Sequence, residues 1–184
     1  MNDYEKYREA QIADGKLYQD FVVDVAWQAG IAIAQYASKT YQLTIGESRG
    51  GVEIKHDKRY AETGNLYIEF AEKKQPRPGP YAPSGIKRED HWLYVIGNYD
   101  IVFFFAKNLL RALFASSKYS HKENKTKTSL GFLLPDNDAR KYAALILTPN
   151  ASGKIEQTTA ELEQLAKQLH EAVKADPKQM TLFK

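Results

Sequence analysis

Hydrophobic positions near the start of the chain recur with the period of a helix. Between residues 17 and 39 they follow steps of three and four, and no proline interrupts them. The positions are Phe21, Val25, Ala29, Ala32, Ile33 and Tyr36. The pattern predicts a helix over residues 17–39.

The period then changes to two, which is typical of β-strands. Residues 41–45 alternate, residues 48–51 (Ser-Arg-Gly-Gly) are typical of a turn, and residues 52–55 alternate again, which predicts a β-hairpin. Further apolar stretches predict four more strands. They lie at residues 66–70, 92–96, 101–105 and 143–148.

The remaining segments complete the predicted order of elements. A helix is predicted over residues 107–116, and residues 75–83, with four of the seven prolines, predict an irregular loop. A capping box at Thr158 and Glu161 opens a last amphipathic helix that runs to about residue 174. We expect one α/β domain at residues 1–174, with a mixed central β-sheet flanked by N- and C-terminal helices, and a flexible tail at residues 175–184.

The composition narrows the chemistry that is available. The absence of cysteine excludes disulfides, thiol catalysis and cysteine-ligated metal centres. The four histidines are scattered without a closely spaced pair, which argues against a histidine-based zinc site. Carboxylates remain as metal ligands, and they suit hard ions such as Mg²⁺ or Mn²⁺.

The first residues are polar and charged, unlike a signal peptide. The longest apolar runs fall well below the ~20 residues that a membrane-spanning helix needs. We therefore expect a cytoplasmic location and no membrane partner.

Basic residues concentrate between residues 103 and 130. This stretch has six Lys or Arg and one acid, Glu123, a surplus of five positive charges. A loop of this kind is typical of a phosphate-binding flap, and a solvated flexible loop would have the same charge. Arg88 adds a further candidate phosphate contact. The candidate DNA-binding residues are Lys118, Lys122, Lys125, Lys127 and Arg88.

The predicted hairpin brings a possible catalytic group together. On a strand, Glu53 and Lys55 face the same side, and the hairpin brings Glu47 close to Glu53. Mg²⁺ typically takes one or two protein carboxylates and fills its other positions with water and phosphate. Such a metal lowers the pKa of a bound water, while the lysine positions or activates that water. The alternative is a surface ion pair, which contributes little.

Four ordered blocks carry a family resemblance. Residues 51–57 (GVEIKHD), 63–69 (TGNLYIE), 84–86 (SGI) and 90–92 (DHW) resemble the core of PD-(D/E)XK nucleases. The resemblance extends over about residues 43–105. It implies a restriction-endonuclease-like fold, phosphodiester hydrolysis that depends on Mg²⁺ or Mn²⁺, and a DNA substrate.

The spacing of the first acid departs from this family. Its first acid usually lies ten or more residues before the Glu-x-Lys, whereas Glu47 lies six residues before Glu53. Either Glu47 takes that role or an acid of the first helix does, with Asp20 and Asp24 one turn apart. We therefore assign Glu47, Glu53 and Lys55 as candidate catalytic residues. The candidate metal ligands are Glu47, Glu53 and Asp24.

Other polar residues of the blocks receive weaker predictions. Glu69 is either a third carboxylate at the metal or an ion-pair partner of Lys73. His56 is interpreted as structural, on the face opposite Lys55, and His91 as a residue at the edge of a strand.

The last residues resemble a second, independent motif. Gln179, Leu182 and Phe183 match the Gln-x-x-Leu-Phe pattern with which bacterial repair proteins and polymerases bind the sliding clamp. In that interpretation the two apolar side chains fill a pocket and the glutamine fixes their register. The alternative is that the tail folds back onto the domain.

Together these features favour a divalent-metal-dependent DNA endonuclease in repair, phage DNA processing or restriction. The alternative is a catalytically inactive DNA-binding or adaptor protein of the same fold, recruited to the sliding clamp. A third interpretation has no role in nucleic-acid chemistry. The oligomeric state stays open, and a homodimer is among the options.

Overall fold

The computed structural model describes residues 3–33 and 51–155, with three isolated helical positions at Gln164, Lys167 and Glu171. Within these residues the chain forms four α-helices and two four-stranded sheets. The architecture is α/β, as predicted. The first strand of the predicted hairpin, most of the last helix, and the tail lie outside the described residues.

Helices are interspersed among the strands along the chain. The helices are α1 (Asp3–Gln28), α2 (Tyr60–Thr63), α3 (Lys107–Ala115) and α4 (Asp136–Tyr142), with a 3-10 turn at Gly85–Lys87. The strands are β1 (Val52–His56), β2 (Asn65–Glu72), β3 (Ala82–Pro83), β4 (Leu93–Gly97), β5 (Val102–Ala106), β6 (His121–Glu123), β7 (Ser129–Pro135) and β8 (Leu145–Leu147).

The first sheet has the strand order β1-β4-β5-β8. β1 is parallel to β4, and the other neighbours are antiparallel. Val52 and Ile54 of β1 face α1, where they pack with its buried residues Tyr18, Val22 and Val25. Because side chains alternate along a strand, Glu53 and Lys55 of β1 face away from α1.

The second sheet has the order β3-β2-β7-β6 and is antiparallel throughout. Its apolar side chains pack with those of the first sheet and of α3 and α4. Fully buried members of this cluster include Leu66, Ile68, Phe103, Phe105, Leu110 and Phe132. The described chain therefore has two sheets where the sequence predicts one central sheet.

The bounds of α1 differ from the prediction of residues 17–39. The helix begins at Asp3 and ends at Gln28, followed by Gly30 with φ of 75°. The Gly30 N–H donates to the Trp27 carbonyl at 2.9 Å, and the Ile31 N–H donates to the Ala26 carbonyl at 2.8 Å. These two bonds form a Schellman motif, which terminates a helix at glycine. The prediction was wrong here because the apolar period continues past Gly30.

Most of the other predicted elements are confirmed, but α2, β3, β6, β7 and α4 were not predicted. β2, β4, β5, α3 and β8 form where the sequence predicts them. The sequence gives no element between residues 117 and 142, yet β6, β7 and α4 form there. β7 was not predicted because Gly131 and the adjacent Leu133 and Leu134 interrupt the alternation of apolar and polar residues. Within the described residues, none of the helices has the length and apolar character needed to cross a membrane.

The contact between α2 and α4 gives a prediction about stability and pH. The Tyr60 hydroxyl donates to the Asp136 carboxylate, and Arg140 Nε donates to the same carboxylate at 2.9 Å. Burial raises the pKa of Asp136, but Tyr60 and Arg140 outweigh it and hold that pKa below its ordinary value. A carboxylate with a depressed folded-state pKa stabilises the fold above its unfolded pKa, and this stability is lost as pH falls through the folded pKa.

We therefore expect Tyr60→Phe to lower the free energy of unfolding by about 1 kcal/mol at neutral pH, the net value of one hydrogen bond. The difference from the wild type should shrink below a pH of about 4, where carboxylates become protonated. Urea denaturation across this pH range measures it, with Tyr142→Phe as the control. An equal loss at neutral and acidic pH would contradict the role of Asp136.

Candidate active site

A lysine joins the two sheets at their polar junction. Glu53 and Lys55 extend from β1 on the face opposite α1, at the positions paired with Tyr94 and Ile96 of β4. Lys55 Nζ lies 2.9 Å from Glu53 Oε1 and 3.4 Å from Glu69 Oε1. Glu69 belongs to β2 of the second sheet. One ammonium group therefore bridges carboxylates from two different sheets.

The three groups differ in their access to solvent. Glu53 is only 3% exposed, whereas the side chain of Lys55 is 31% exposed. The side chain of Glu69 lies between them, at 16%. A ligand from solvent therefore reaches the centre from the side of Lys55 and Glu69, with Glu53 at its base.

The Ser-Gly-Ile block holds Glu69 in place. The Ser84 hydroxyl donates to Glu69 Oε1 at 2.7 Å. Gly85 has a φ of 50°, and a Cβ atom at this position would lie 2.1 Å from the Glu69 carbonyl oxygen. Ile86 is fully buried in the core beneath them. Glycine is required at residue 85 both for its backbone conformation and for this close approach.

A histidine lies behind Glu53. His91 Nε2 is 3.0 Å from Glu53 Oε2, and His91 Nδ1 is 3.0 Å from Asp90 Oδ1. Asp90 also pairs with Arg88. The Glu53–His91 contact is close but poorly aligned, so Glu53 Oε2 has no well-formed hydrogen bond within the described residues. The imidazole ring of His91 therefore encloses the Glu53 carboxylate on its buried side.

Two cationic side chains of α3 secure the segment between Ser84 and His91. Lys107 Nζ donates to the Arg88 carbonyl at 2.8 Å. Arg111 Nε donates to the Ile86 carbonyl at 2.6 Å, and its guanidinium also bonds Glu89. Backbone carbonyl groups of this segment are thereby satisfied. The backbone that presents Ser84 and His91 is fixed to α3.

The charge of Glu53 is maintained despite its burial. Burial raises the pKa of a carboxyl group, but the positive charge of Lys55 and the contact with His91 outweigh it. The pKa of Glu53 consequently lies well below its ordinary value, and the side chain is a carboxylate at neutral pH. Burial raises the pKa of the neighbouring Tyr94 far above its ordinary value, so its phenol stays neutral.

The candidate metal ligands from the sequence require two corrections. Asp24 is exposed on α1, which packs on the face of β1 opposite Glu53, so the sheet separates Asp24 from the centre. Glu69 pairs with Lys55, whereas the sequence offered Lys73 as its partner; the Lys73 ammonium instead lies 4.5 Å from the centroid of the Tyr81 ring. Glu47 lies outside the described residues.

The two histidines of the blocks, His56 and His91, have different positions relative to the centre. His56 is structural, as predicted: it faces α1, stacks on Tyr18 and lies 2.8 Å from Asp14. His91 is buried beside Glu53 and is not the strand-edge residue that the sequence indicated. The signal that could have found His91 and Ser84 was the set of four blocks. Each block contributes at least one side chain to the centre, although no single block is specific.

The candidate DNA-binding residues have different environments. Lys122, Lys125 and Lys127 are exposed. Lys118 is paired with Asp138 at 2.9 Å, and Arg88 is paired with Asp90. The candidate clamp-binding residues Gln179, Leu182 and Phe183 lie outside the described residues, so clamp binding stays a prediction.

The centre fits a hard divalent metal in its donor chemistry. Among the described residues no group of three or more His, Asp or Glu side chains is arranged to hold a metal ion. Glu53 and Glu69 supply two carboxylates, which matches the one or two that Mg²⁺ usually takes from protein.

Comparisons with models of protein families, with curated proteins and with solved structures found no match.

Proposed function

We propose that the protein is a divalent-metal-dependent DNA endonuclease with a restriction-endonuclease-like core. The observation that carries this proposal is the bridge formed by Lys55 between Glu53 and Glu69. Two carboxylates and one ammonium are the groups that metal-dependent phosphodiester hydrolysis needs, and the four blocks that resemble PD-(D/E)XK nucleases meet at this centre.

The three residues of the bridge are assigned different roles according to their positions. Glu53 and Glu69 would hold Mg²⁺ or Mn²⁺, which when bound lowers the pKa of a water and neutralises charge on the phosphate. Lys55, the most exposed of the three, would hold the attacking water or a phosphate oxygen by its ammonium hydrogens. In this assignment Glu69 of β2 takes the role for which Glu47 or Asp24 was predicted from the sequence.

The surrounding residues position these groups. Ser84 fixes one oxygen of Glu69 by its hydrogen bond. His91 packs its ring nitrogen against Glu53 and is itself held by Asp90. Partners of this kind orient metal-binding side chains, and their loss typically weakens metal binding or activity by about 10- to 100-fold.

The first test is cleavage of duplex, nicked, branched and single-stranded DNA with Mg²⁺ or Mn²⁺. We expect Glu53→Gln and Glu69→Gln each to lower the rate by at least about 100-fold, because each removes a charge that stabilises the metal and the transition state. Glu72→Gln is the matched control, since Glu72 lies on the same strand and is exposed. It should cleave at the wild-type rate.

Two results would contradict the proposal. Cleavage that needs no metal, or that survives Glu53→Gln, would remove the centre from the reaction. DNA binding by the wild type without any cleavage would instead favour the inactive adaptor protein.

A further inference from the structure

We propose that two adjoining loops form one basic surface that binds the phosphate backbone of duplex DNA beside the catalytic centre. The surface, called here the double-loop surface, comprises residues 73–81 and 121–128. The inference rests on the proposed function for its choice of DNA, and it adds the segment 73–81 to the substrate contacts.

Direct contacts join the two loops. The Lys73 N–H donates to the Thr128 carbonyl at 2.8 Å. The Tyr81 hydroxyl donates to Glu123 and lies 3.2 Å from the Lys127 carbonyl. Asn124 closes the second loop through its side-chain oxygen, which accepts the N–H of Thr128 at 2.8 Å. The loops therefore present a single surface.

The charge of this surface is strongly positive. Residues 73–81 contain Lys73, Lys74 and Arg77 and no acid, and residues 121–128 contain three lysines and Glu123. Six positive charges less one negative charge leave a surplus of five. The hydrogen bond from Tyr81 occupies the single carboxylate. A concentration of positive charge on one face is the electrostatic signature of a phosphate-binding surface.

The double-loop surface is adjacent to the catalytic centre along β2 and β3. Loop 73–81 leaves β2 after Glu72 and returns through β3, whose Ala82 and Pro83 pair with Glu72 and Ala71. The next residue, Ser84, bonds Glu69 of the centre. At a strand rise of ~3.3 Å per residue, Lys73 lies roughly 13 Å along β2 from Glu69. Both positions therefore fall within one turn of a DNA duplex, ~34 Å.

The composition of the first loop favours binding without a large loss of entropy. Pro76, Pro78 and Pro80 each fix their own φ, so the free loop samples fewer conformations. Lys74 and Arg77 are exposed, and Lys125 is exposed on the second loop. These three exposed cations are chosen for substitution, and Lys73, Tyr81 and Asn124, which make the contacts described above, are kept.

The test is the binding of the full-length protein to a labelled duplex of about 30 base pairs, roughly three turns of DNA, without metal and over a range of salt concentrations. The test variant combines Lys74→Gln, Arg77→Gln and Lys125→Gln. The control combines Lys16→Gln, Lys141→Gln and Lys154→Gln, which removes the same charge from exposed positions on α1, on α4 and after β8.

We expect the test variant to bind about 10- to 100-fold more weakly at ~0.1 M salt, and its slope of log affinity against log salt to fall by ~2–3. The control should keep the wild-type slope.

Equal slopes for all three proteins, or no binding of duplex DNA by the wild type, would overturn the double-loop surface. If the test variant binds DNA as the wild type does, and wild-type cleavage needs Glu53, the surface is refuted and the nuclease proposal is intact. Binding that depends on the loops without any cleavage would support the surface and refute the nuclease.

Discussion

Replacing Lys55 with methionine is expected to lower the rate of metal-dependent DNA cleavage by at least about a thousandfold, the range typical of a group that acts directly in proton transfer or charge stabilisation. Methionine keeps much of the length of the lysine stem but has no ammonium. Glu53 and Glu69 then lose their shared cation, and Glu53 stays buried without it. We also expect the free energy of unfolding to fall by about 2 kcal/mol, less than for a fully buried pair because Lys55 is partly exposed.

A second variant separates the chemical role of Lys55 from its structural role. Lys55→Arg restores the positive charge, so stability should recover toward that of the wild type. Cleavage should stay low because the planar guanidinium cannot reproduce the compact ammonium. Lys58→Met is the control, since Lys58 is exposed and pairs with Asp14 away from the centre. Wild-type cleavage by Lys55→Met would exclude Lys55 from the reaction.

Gly85→Ala is expected to destabilise the fold by about 3 kcal/mol or more, near the upper end of single substitutions. The methyl group would meet the Glu69 carbonyl at 2.1 Å, and two backbone segments cannot separate as a flexible side chain can. The positive φ of 50° adds strain. Because the clash displaces Glu69 itself, cleavage should fall together with stability. Urea denaturation and the DNA assay measure the two effects.

Gly64→Ala provides the matched comparison. Gly64 has a φ of 62°, yet nothing lies within 4 Å of the position where its Cβ would be. We expect a cost of only about 1 kcal/mol, due to the backbone strain alone. Similar losses for the two variants would show that the contact with Glu69 does not determine the need for glycine at residue 85.

The sequence predicted those features of the fold that depend on local pattern. Apolar stretches located β2, β4 and β5, and the three- and four-residue period located the second half of α1. The end of α1 was misplaced because a Schellman motif depends on one glycine, whereas the apolar period extends past it. The division into two sheets could not be predicted, because it depends on long-range pairing such as that of β2 with β7.

The candidate site shows the same limit. Strand alternation predicted that Glu53 and Lys55 share a face, and they do. Alternation within one strand says nothing about which residue of another strand lies opposite, so Glu69 received an incorrect partner. His91 looked like an edge residue because its neighbour Trp92 begins an apolar run. Only the packing of β4 against β1 places this histidine behind Glu53.

The position of Glu69 on a second sheet has a consequence for the synthesis of the protein. The described side chains of the centre lie between residues 53 and 91, but β2 is held in its sheet by β7, which extends to Pro135. When only the first hundred residues have emerged from the ribosome, the nascent chain contains these groups of the centre but lacks the strand that fixes Glu69. Proteolytic fragments that end before β7 lack it as well. An enzyme that cuts DNA would thus be inactive on the ribosome and after partial degradation, when its activity would be least controlled.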